Sequence, residues 1–347
     1  MNTLHDNRWH NSEYPDNLLK AGYIEWKYFN FTTPDFSGIF VYLIADPLNI
    51  TGIGGGRVIA RIFTRDGVVG GVCETSIKDV SSSNENAGID VGDNSIIVRD
   101  DAYIIKGKVS HVTWNLKYSP LAPLIQGFSD LSVDPFNFEK ISWLIKMPKA
   151  NVIGTIKIKG KEFDIDTMGY SDANWGELVP VVVRLDWAQY NDDSVSVVVG
   201  EVENLNIGKK KFGRWSEIYA IYQNELITFT RDVISIEHLE WTTIPDSKIE
   251  IPLVTKVRAE NEIYKLDLVL KTKLSDPIYF NTPFYLPIEQ VVVEQVASFS
   301  GGLSKKEGAG FTILHSIEGT GFKEYTLRDV SIRKKNTSTA GVVAYGR

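Results

Sequence analysis

The sequence predicts an all-β protein, antiparallel and with little helix, and three observations carry that reading. Runs of β-branched and aromatic residues such as Ile39-Phe40-Val41-Tyr42-Leu43-Ile44 recur along the chain. They stop at turn residues about every eight to twelve positions, the rhythm of sandwiches and barrels. No long window shows helical 3.6-residue periodicity. Closing such a sheet on itself removes its exposed edges, and an antiparallel barrel of about eight strands can hold one small ligand.

The elements follow in order. After a polar lead-in to about Ala21, the first long run stops at Asp46-Pro47, and Arg57 to Phe63 stops at Asp66-Gly67. Ser81 to Gly92 is polar and small, and is expected to be a surface loop. Tyr103 to Lys106 pairs with Val109 to Tyr118, and Ile141 to Met147 with Ile153 to Ile158, as hairpins. Leu121 to Phe138, spaced by Pro123 and Pro135, is expected to be irregular: a lid, or a plain connection. Thr155 to Lys159 alternates in polarity, turns at Gly160 and returns through Phe163, Ile165 and Thr167. Val179 to Tyr190 and Ser194 to Val202 form the clearest hairpin, joined by Asn191-Asp192-Asp193. Another turns at Gln223-Asn224-Glu225. The second half offers strands at Ile234 to Trp241, Glu250 to Val257, Ile263 to Lys273, Gln290 to Ser298, Thr312 to Glu318 and Tyr325 to Ile332.

A chain of 347 residues is long for one domain, so two are expected, 1–215 and 216–347, with the boundary in the turn-rich stretch between Asn204 and Asp232. Eight Trp, fifteen Tyr and sixteen Phe suffice for two cores and an aromatic cavity. A net charge of −7 and a pI near 5.4 argue against a nucleic-acid partner. Lys209-Lys210-Lys211, beside Gly208, reads as a solvated turn. Cys73 is the sole cysteine, so no intramolecular disulfide forms, and it reads as a small buried hydrophobe. The polar N-terminus lacks the apolar core of a signal peptide, and no stretch of about eighteen apolar residues occurs. A cytoplasmic protein without a membrane span is therefore expected.

Cofactor chemistry finds no motif. Gly52-Ile53-Gly54-Gly55-Gly56 precedes a strand rather than a helix, so it lacks the dipole that holds pyrophosphate. His5, His10, His111, His238 and His315 are scattered without ligand spacing, and no metal site is expected. No G-x-S-x-G elbow is present. Paired carboxylates remain open: Asp172 with Glu177, Glu25 and Glu324 would suit an all-β glycosidase or lyase. Most acids are nevertheless solvated surface. The densest chemistry lies in Gly169-Tyr170-Ser171-Asp172-Ala173-Asn174-Trp175-Gly176-Glu177, which is expected to be a loop at a strand end.

Here the chain resembles the lipocalin-like superfamily of carotenoid 1,2-hydratases, AttH-type proteins, tocopherol cyclase relatives and decalin-forming Diels–Alderases. Its G-T-x-x-x-x-G hairpin and G-x-x-Y/W-x-D-x-x-W-G signature match Gly154-Thr155, Gly160, Gly169-Tyr170, Asp172 and Trp175-Gly176. Glu25-Trp26-Lys27-Tyr28-Phe29 is similar to the early E-W-W-Y-F, and Gly319-Thr320-Gly321-Phe322-Lys323-Glu324 to the late G-x-G-Y-x-E. Lys27 departs from the second tryptophan. Ala173 stands where many members carry histidine, which puts chemistry using that imidazole in doubt.

The resemblance implies two lipocalin-like domains and a hydrophobic pocket at their junction. It makes Asp172 the acid that protonates a carbon–carbon double bond, with Tyr170 as partner. A carboxyl buried among aromatics holds its proton near neutral pH, so the role is physically coherent. Trp26, Trp175, Trp187, Trp215 and Trp241 would turn π faces to developing cation, or simply pack the core. Tyr28, Asn174, Glu177, Glu25 and Glu324 would contact substrate; alternatively Asn174 and Glu177 satisfy backbone groups at the loop, and Glu25 and Glu324 pair with a buried Arg or with barrel-end amides. The implied function is cofactor-independent cyclisation, isomerisation or hydration of a terpenoid, polyketide polyene or aromatic ketone, by enforced folding of the substrate and proton donation. A non-catalytic carrier of the same fold and a carbohydrate-active β-sandwich are the rivals.

Overall fold

The computed structural model describes residues 8–10, 22–52, 54–83, 85–128, 131–132, 140–177, 182–204, 206–207, 210–211, 214–244, 249–282, 288–328 and 343–344. They form antiparallel strands, as the β-branched runs predict, with two short 3-10 turns at Ile77–Asp79 and Arg231–Val233. The chain divides into one unit of Met1–Val181 with Asn281–Ile288, and another of Val182–Phe280 with Glu289–Arg347. The boundary expected at 215/216 therefore falls inside the second unit. Val195–Asn204 pairs directly with Arg214–Tyr222, so the Gly/Lys-rich stretch joins two neighbouring strands.

The first unit is built on a 13-stranded sheet. Its path runs from Gly67–Ser76 through Gly55–Thr64 and Phe36–Ala45 to Tyr23–Thr32, then crosses to Lys161–Glu177 and Lys140–Ile158. It continues through Val112–Pro120, Ala102–Val109 and Asn94–Arg99 to the short strands Ile89–Val91 and Val80–Ser82. Gly67–Ser76 touches Ala102–Val109, and Gly55–Thr64 touches Ile89–Val91, so the sheet curls over one core that includes Phe29, Phe31, Phe40, Tyr42 and Trp114. The crossing places the early Glu-Trp-Lys-Tyr-Phe strand beside the signature strand.

Three expectations change here. The signature is the end of strand Lys161–Glu177, not a loop. The hairpin expected within 141–158 is a single strand, Lys140–Ile158, bent by register shifts between Leu144 and Met147 and between Met147 and Ala150. The polar stretch 81–92 supplies two short strands. Of the proline-spaced segment, Ile125–Gln126 and Leu131–Ser132 pair with Lys140–Ile158, while 129–130 and 133–138 lie outside the described residues.

The second unit is built on a 10-stranded sheet, with Asn206–Ile207 and Lys210–Lys211 pairing separately as a two-stranded one. Its path is Glu225–Thr230, Arg214–Tyr222, Val195–Asn204, Val182–Asn191, Gly310–Arg328, Ile288–Glu307, Tyr264–Thr282, Glu250–Glu260 and Ile234–Thr243, with Val343–Ala344 on Tyr264–Thr282. Arg214–Tyr222 touches Ile234–Thr243, which folds this sheet over its own core of Val197, Val199, Phe229, Leu266, Leu268 and Phe299 among others. The clearest predicted hairpin is present: Asp192 Oδ1 accepts from the amides of Ser194 and Val195 and fixes its turn. Gln223 and Asn224 both have positive φ, 49° and 65°, as a tight hairpin turn requires. The strands expected separately at 312–318 and 325–332 are one, Gly310–Arg328, with 329–332 outside the described residues. No helix among the described residues is long and apolar enough to cross a membrane.

Candidate functional site

Side chains alternate across a strand, so the register between Tyr23–Thr32 and Lys161–Glu177 sorts the candidates onto two faces. Tyr28 lies opposite Asp172, Trp26 opposite Asn174 and Asn30 opposite Tyr170. Glu25 opposite Trp175, Lys27 opposite Ala173 and Phe29 opposite Ser171 occupy the other face. Phe29 and Phe31 enter the core, so Glu25, Lys27 and Trp175 share the core side, while Asp172 and its neighbours stand on the sheet's reverse side.

On the reverse side Asp172 is buried. Its Oδ2 accepts the Tyr170 hydroxyl at 2.7 Å and the Trp143 indole N–H at 2.9 Å, while its Oδ1, also buried, has no hydrogen-bond partner among the described residues. Burial pushes the carboxyl up to about 6, against the opposing pull of Trp143, Tyr170 and the Lys27 ammonium. Tyr28 meets the Tyr170 ring edge-on, centroids 6.2 Å apart. Asn30, opposite Tyr170, is buried with its Nδ2 unpartnered among the described residues. Asn174 is buried, Trp26 is half-buried, and the side chain of Glu177 lies outside the described residues.

On the core side Glu25 is fully buried and saturated. Its Oε2 accepts the Tyr23 hydroxyl at 2.6 Å and the His10 amide at 2.8 Å; its Oε1 meets Lys27 Nζ at 3.2 Å and His10 Nδ1 at 3.1 Å. Burial pushes the carboxyl up, but Lys27, His10 and Tyr23 outweigh it and hold Glu25 below its ordinary value. Lys27 also donates to the Arg8 carbonyl and lies 4.9 Å from the Trp9 ring centroid. His10 stacks flat on Trp175, centroids 4.0 Å apart. Lys27 therefore supplies the counter-ion of Glu25.

Trp187, Trp215, Trp241 and Glu324 belong to the second unit. Trp187 and Glu324 are cross-strand partners and line a small cavity with Asp186 and Lys323. Trp215 is half-buried; Trp241 is 47% exposed, with its ring edge toward Tyr325. Among the described residues no group of three or more His, Cys, Asp or Glu side chains is placed to hold a metal ion.

Sequence reasoning missed Trp143, Asn30 and His10. Trp143 reaches Asp172 from the next strand, where it pairs opposite Asn174. Only that register reveals it. Asn30 had a signal: it follows Tyr28 by two positions and so shares its face.

The fold and site define a class: an antiparallel all-β chain with two large sheets, the first holding a buried carboxyl between a phenol and an indole. No family model and no curated protein matches the chain. Solved structures do. The Nitrosomonas europaea protein NE1406, assigned to AttH, superposes with a TM-score of 0.63 at 15% identity over 88% of this chain and 93% of its own. CghA superposes at 0.63 with 13% identity over 90% of each chain. CghA with Sch210972 gives 0.61 at 13% identity, again over 90% of each. At these identities the likeness is one of fold.

Proposed function

We propose that the chain is a cofactor-independent enzyme that cyclises, isomerises or hydrates a small hydrophobic molecule, with Asp172 as its proton donor. The arrangement of Asp172 carries this reading. Because Oδ2 already accepts two hydrogen bonds, a proton on the carboxyl resides on Oδ1, the oxygen with no partner among the described residues. That proton is available to a bound π bond, whose electron pair takes it and leaves a cation on carbon. The Tyr170 and Trp143 donors then stabilise the carboxylate left behind. The faces of Tyr28 and Trp26 on the same side of the sheet suit the cation. Elimination of a neighbouring proton, ring closure or capture of water completes isomerisation, cyclisation or hydration. The resemblance to the hydratase and Diels–Alderase superfamily supports the same assignment, and the bound Sch210972 of CghA shows that protein taking a small molecule. The substrates in view are a terpenoid, a polyketide polyene or an aromatic ketone.

A carrier of the same fold is the second reading, because Asn30 Nδ2 and Asp172 Oδ1 offer a ligand one donor and one acceptor without any reaction. The test begins with hydrophobic small molecules extracted from purified Asp172→Asn protein and identified by mass spectrometry. They are then given to the wild-type chain in D2O. The expected product is isomeric or hydrated and carries one deuterium on carbon. An isomer without deuterium overturns the acid role in favour of templating alone, and a ligand returned unchanged leaves the carrier.

A further inference from the structure

The second unit holds a polar chain that the proposed reaction does not use. Asp186, Thr255 and Lys323 are all buried and all line one cavity, with Trp187, Pro252, Tyr325 and others; its enclosed part is about the size of a water molecule and it opens on one side toward solvent. His238 links them. Its Nε2 lies 3.2 and 3.3 Å from the two Asp186 oxygens, and its Nδ1 lies 3.3 Å from Thr255 Oγ1. Thr255 Oγ1 in turn accepts Lys323 Nζ at 3.2 Å, and the Pro252 carbonyl accepts Lys323 at 2.8 Å. One tautomer satisfies every member: His238 Nε2–H donates to Asp186, Thr255 O–H donates to Nδ1, and Lys323 N–H donates to Thr255.

Among the described residues Lys323 thus meets two acceptors. A neutral amine has two N–H donors, both accepted there, and keeps its lone pair; an ammonium would bury a third N–H without a partner among them. Among the described residues no carboxylate forms an ion pair with Lys323. Burial lowers its pKa to about 7, against the pull of Asp186. Buried, desolvated lysines of this kind act as nucleophiles toward carbonyl carbon. Beside Lys323, across the strand pair, Gln295 is fully buried with its Nε2 unpartnered among the described residues, a donor suited to an oxygen held near the amine.

We infer that Lys323 is a carbonyl-binding nucleophile, forming a reversible imine with a short-chain aliphatic aldehyde in the cavity of the second unit. The amine lone pair adds to the carbonyl carbon and the carbonyl π pair moves to oxygen. The two amine hydrogens leave with that oxygen as water, and a C=N bond replaces C=O. Thr255 and His238 form a path along which a proton can pass between nitrogen and oxygen. The short chain follows from the cavity's size. The site lies wholly in the second unit and is independent of the reading of Asp172.

The experiment uses the whole chain with acetaldehyde and sodium cyanoborohydride near neutral pH, followed by peptide mapping. Lys323 is expected to be alkylated faster than the exposed Lys271 and Lys305 by on the order of tenfold, because its neutral fraction is larger. Labelling of the exposed lysines with Lys323 untouched overturns the proposal. Thr255→Val removes one acceptor and interrupts the proton path, so labelling at Lys323 should fall several-fold in protein of unchanged circular dichroism. Unchanged labelling in that variant overturns the role of the chain from Asp186 to Lys323. Because the readout is covalent mass on one lysine, a misassigned Asp172 would not alter it.

Discussion

A single carboxyl makes the first unit sensitive to pH. Asp172 titrates at about 6 in the folded chain, against 3.8 for an ordinary aspartate. Between those values the folded state keeps a proton that the unfolded state has lost. The resulting stabilisation is complete below about pH 3.8 and is lost as pH rises through about 6, a change of about 3 kcal/mol. Asp172→Asn carries no such charge. Its stability relative to wild type should therefore rise by about that amount between pH 4 and pH 7.5 in urea titrations; a constant difference would show that the carboxyl is better solvated than its burial indicates. Catalysis by the same acid should weaken as pH rises above about 6. Lys27 argues in the opposite sense. Lys27→Met leaves the Glu25 charge buried, with His10 and Tyr23 as its remaining partners, and should cost about 3–5 kcal/mol. Adding Glu25→Gln should recover much of that loss, which a double-mutant cycle in denaturant measures. From the sequence Glu25 is expected to meet a buried Arg or barrel-end amides; its partner is Lys27, two positions on along the same strand and therefore on the same face. Trp143 over Asp172 was not legible: 29 residues separate them, and only pairing register joins them.

Within the strands, the glycines mark where one backbone crosses another at close range. A Cβ on Gly169 would lie 2.3 Å from the Asn30 carbonyl, so the glycine opening the signature serves strand contact. Taking it for loop punctuation is what made the motif look like a turn. Gly154 combines a φ of +144° with a neighbouring carbonyl, that of Asn115, at 2.1 Å from its would-be Cβ. Gly160 has a φ of +87° and open space around it. Gly160→Ala should therefore cost about 1 kcal/mol in backbone strain alone, and Gly154→Ala clearly more, since strain and clash act together. Thermal unfolding of the two variants decides this, and equal losses would refute the clash. Local chemistry made the hairpins at 154–167 and 182–204 readable. The union of 140–158 into one strand was not, because its bulges lie where the proline-spaced segment docks.

The described residues form two large sheets with separate cores, one under Phe29, Phe31 and Trp114, the other under Phe229, Leu268 and Phe299. Gly301 in the second unit shares the geometry of Gly154, with a φ of +146° and the Asp267 carbonyl at 2.0 Å. Hydrogen exchange should therefore accelerate mainly in the first sheet for Gly154→Ala and mainly in the second for Gly301→Ala. Equal acceleration in both sheets would mean that they open as one cooperative body. The all-β class was legible from the rhythm of apolar runs. The position of the division was not, because the turn-rich stretch near 204–214 looks like a linker in composition yet joins adjacent strands.

Trp9 is fully buried in the first core, its indole N–H held by the Ala87 carbonyl, and His10 next to it closes over Glu25. The segment 8–10 thus works as a stopper seated in the fold. Trimming the chain past this point would drain a large aromatic volume from the first sheet and strip Glu25 of its amide donor and its imidazole together. Any shortened version of the protein has to begin upstream of Arg8.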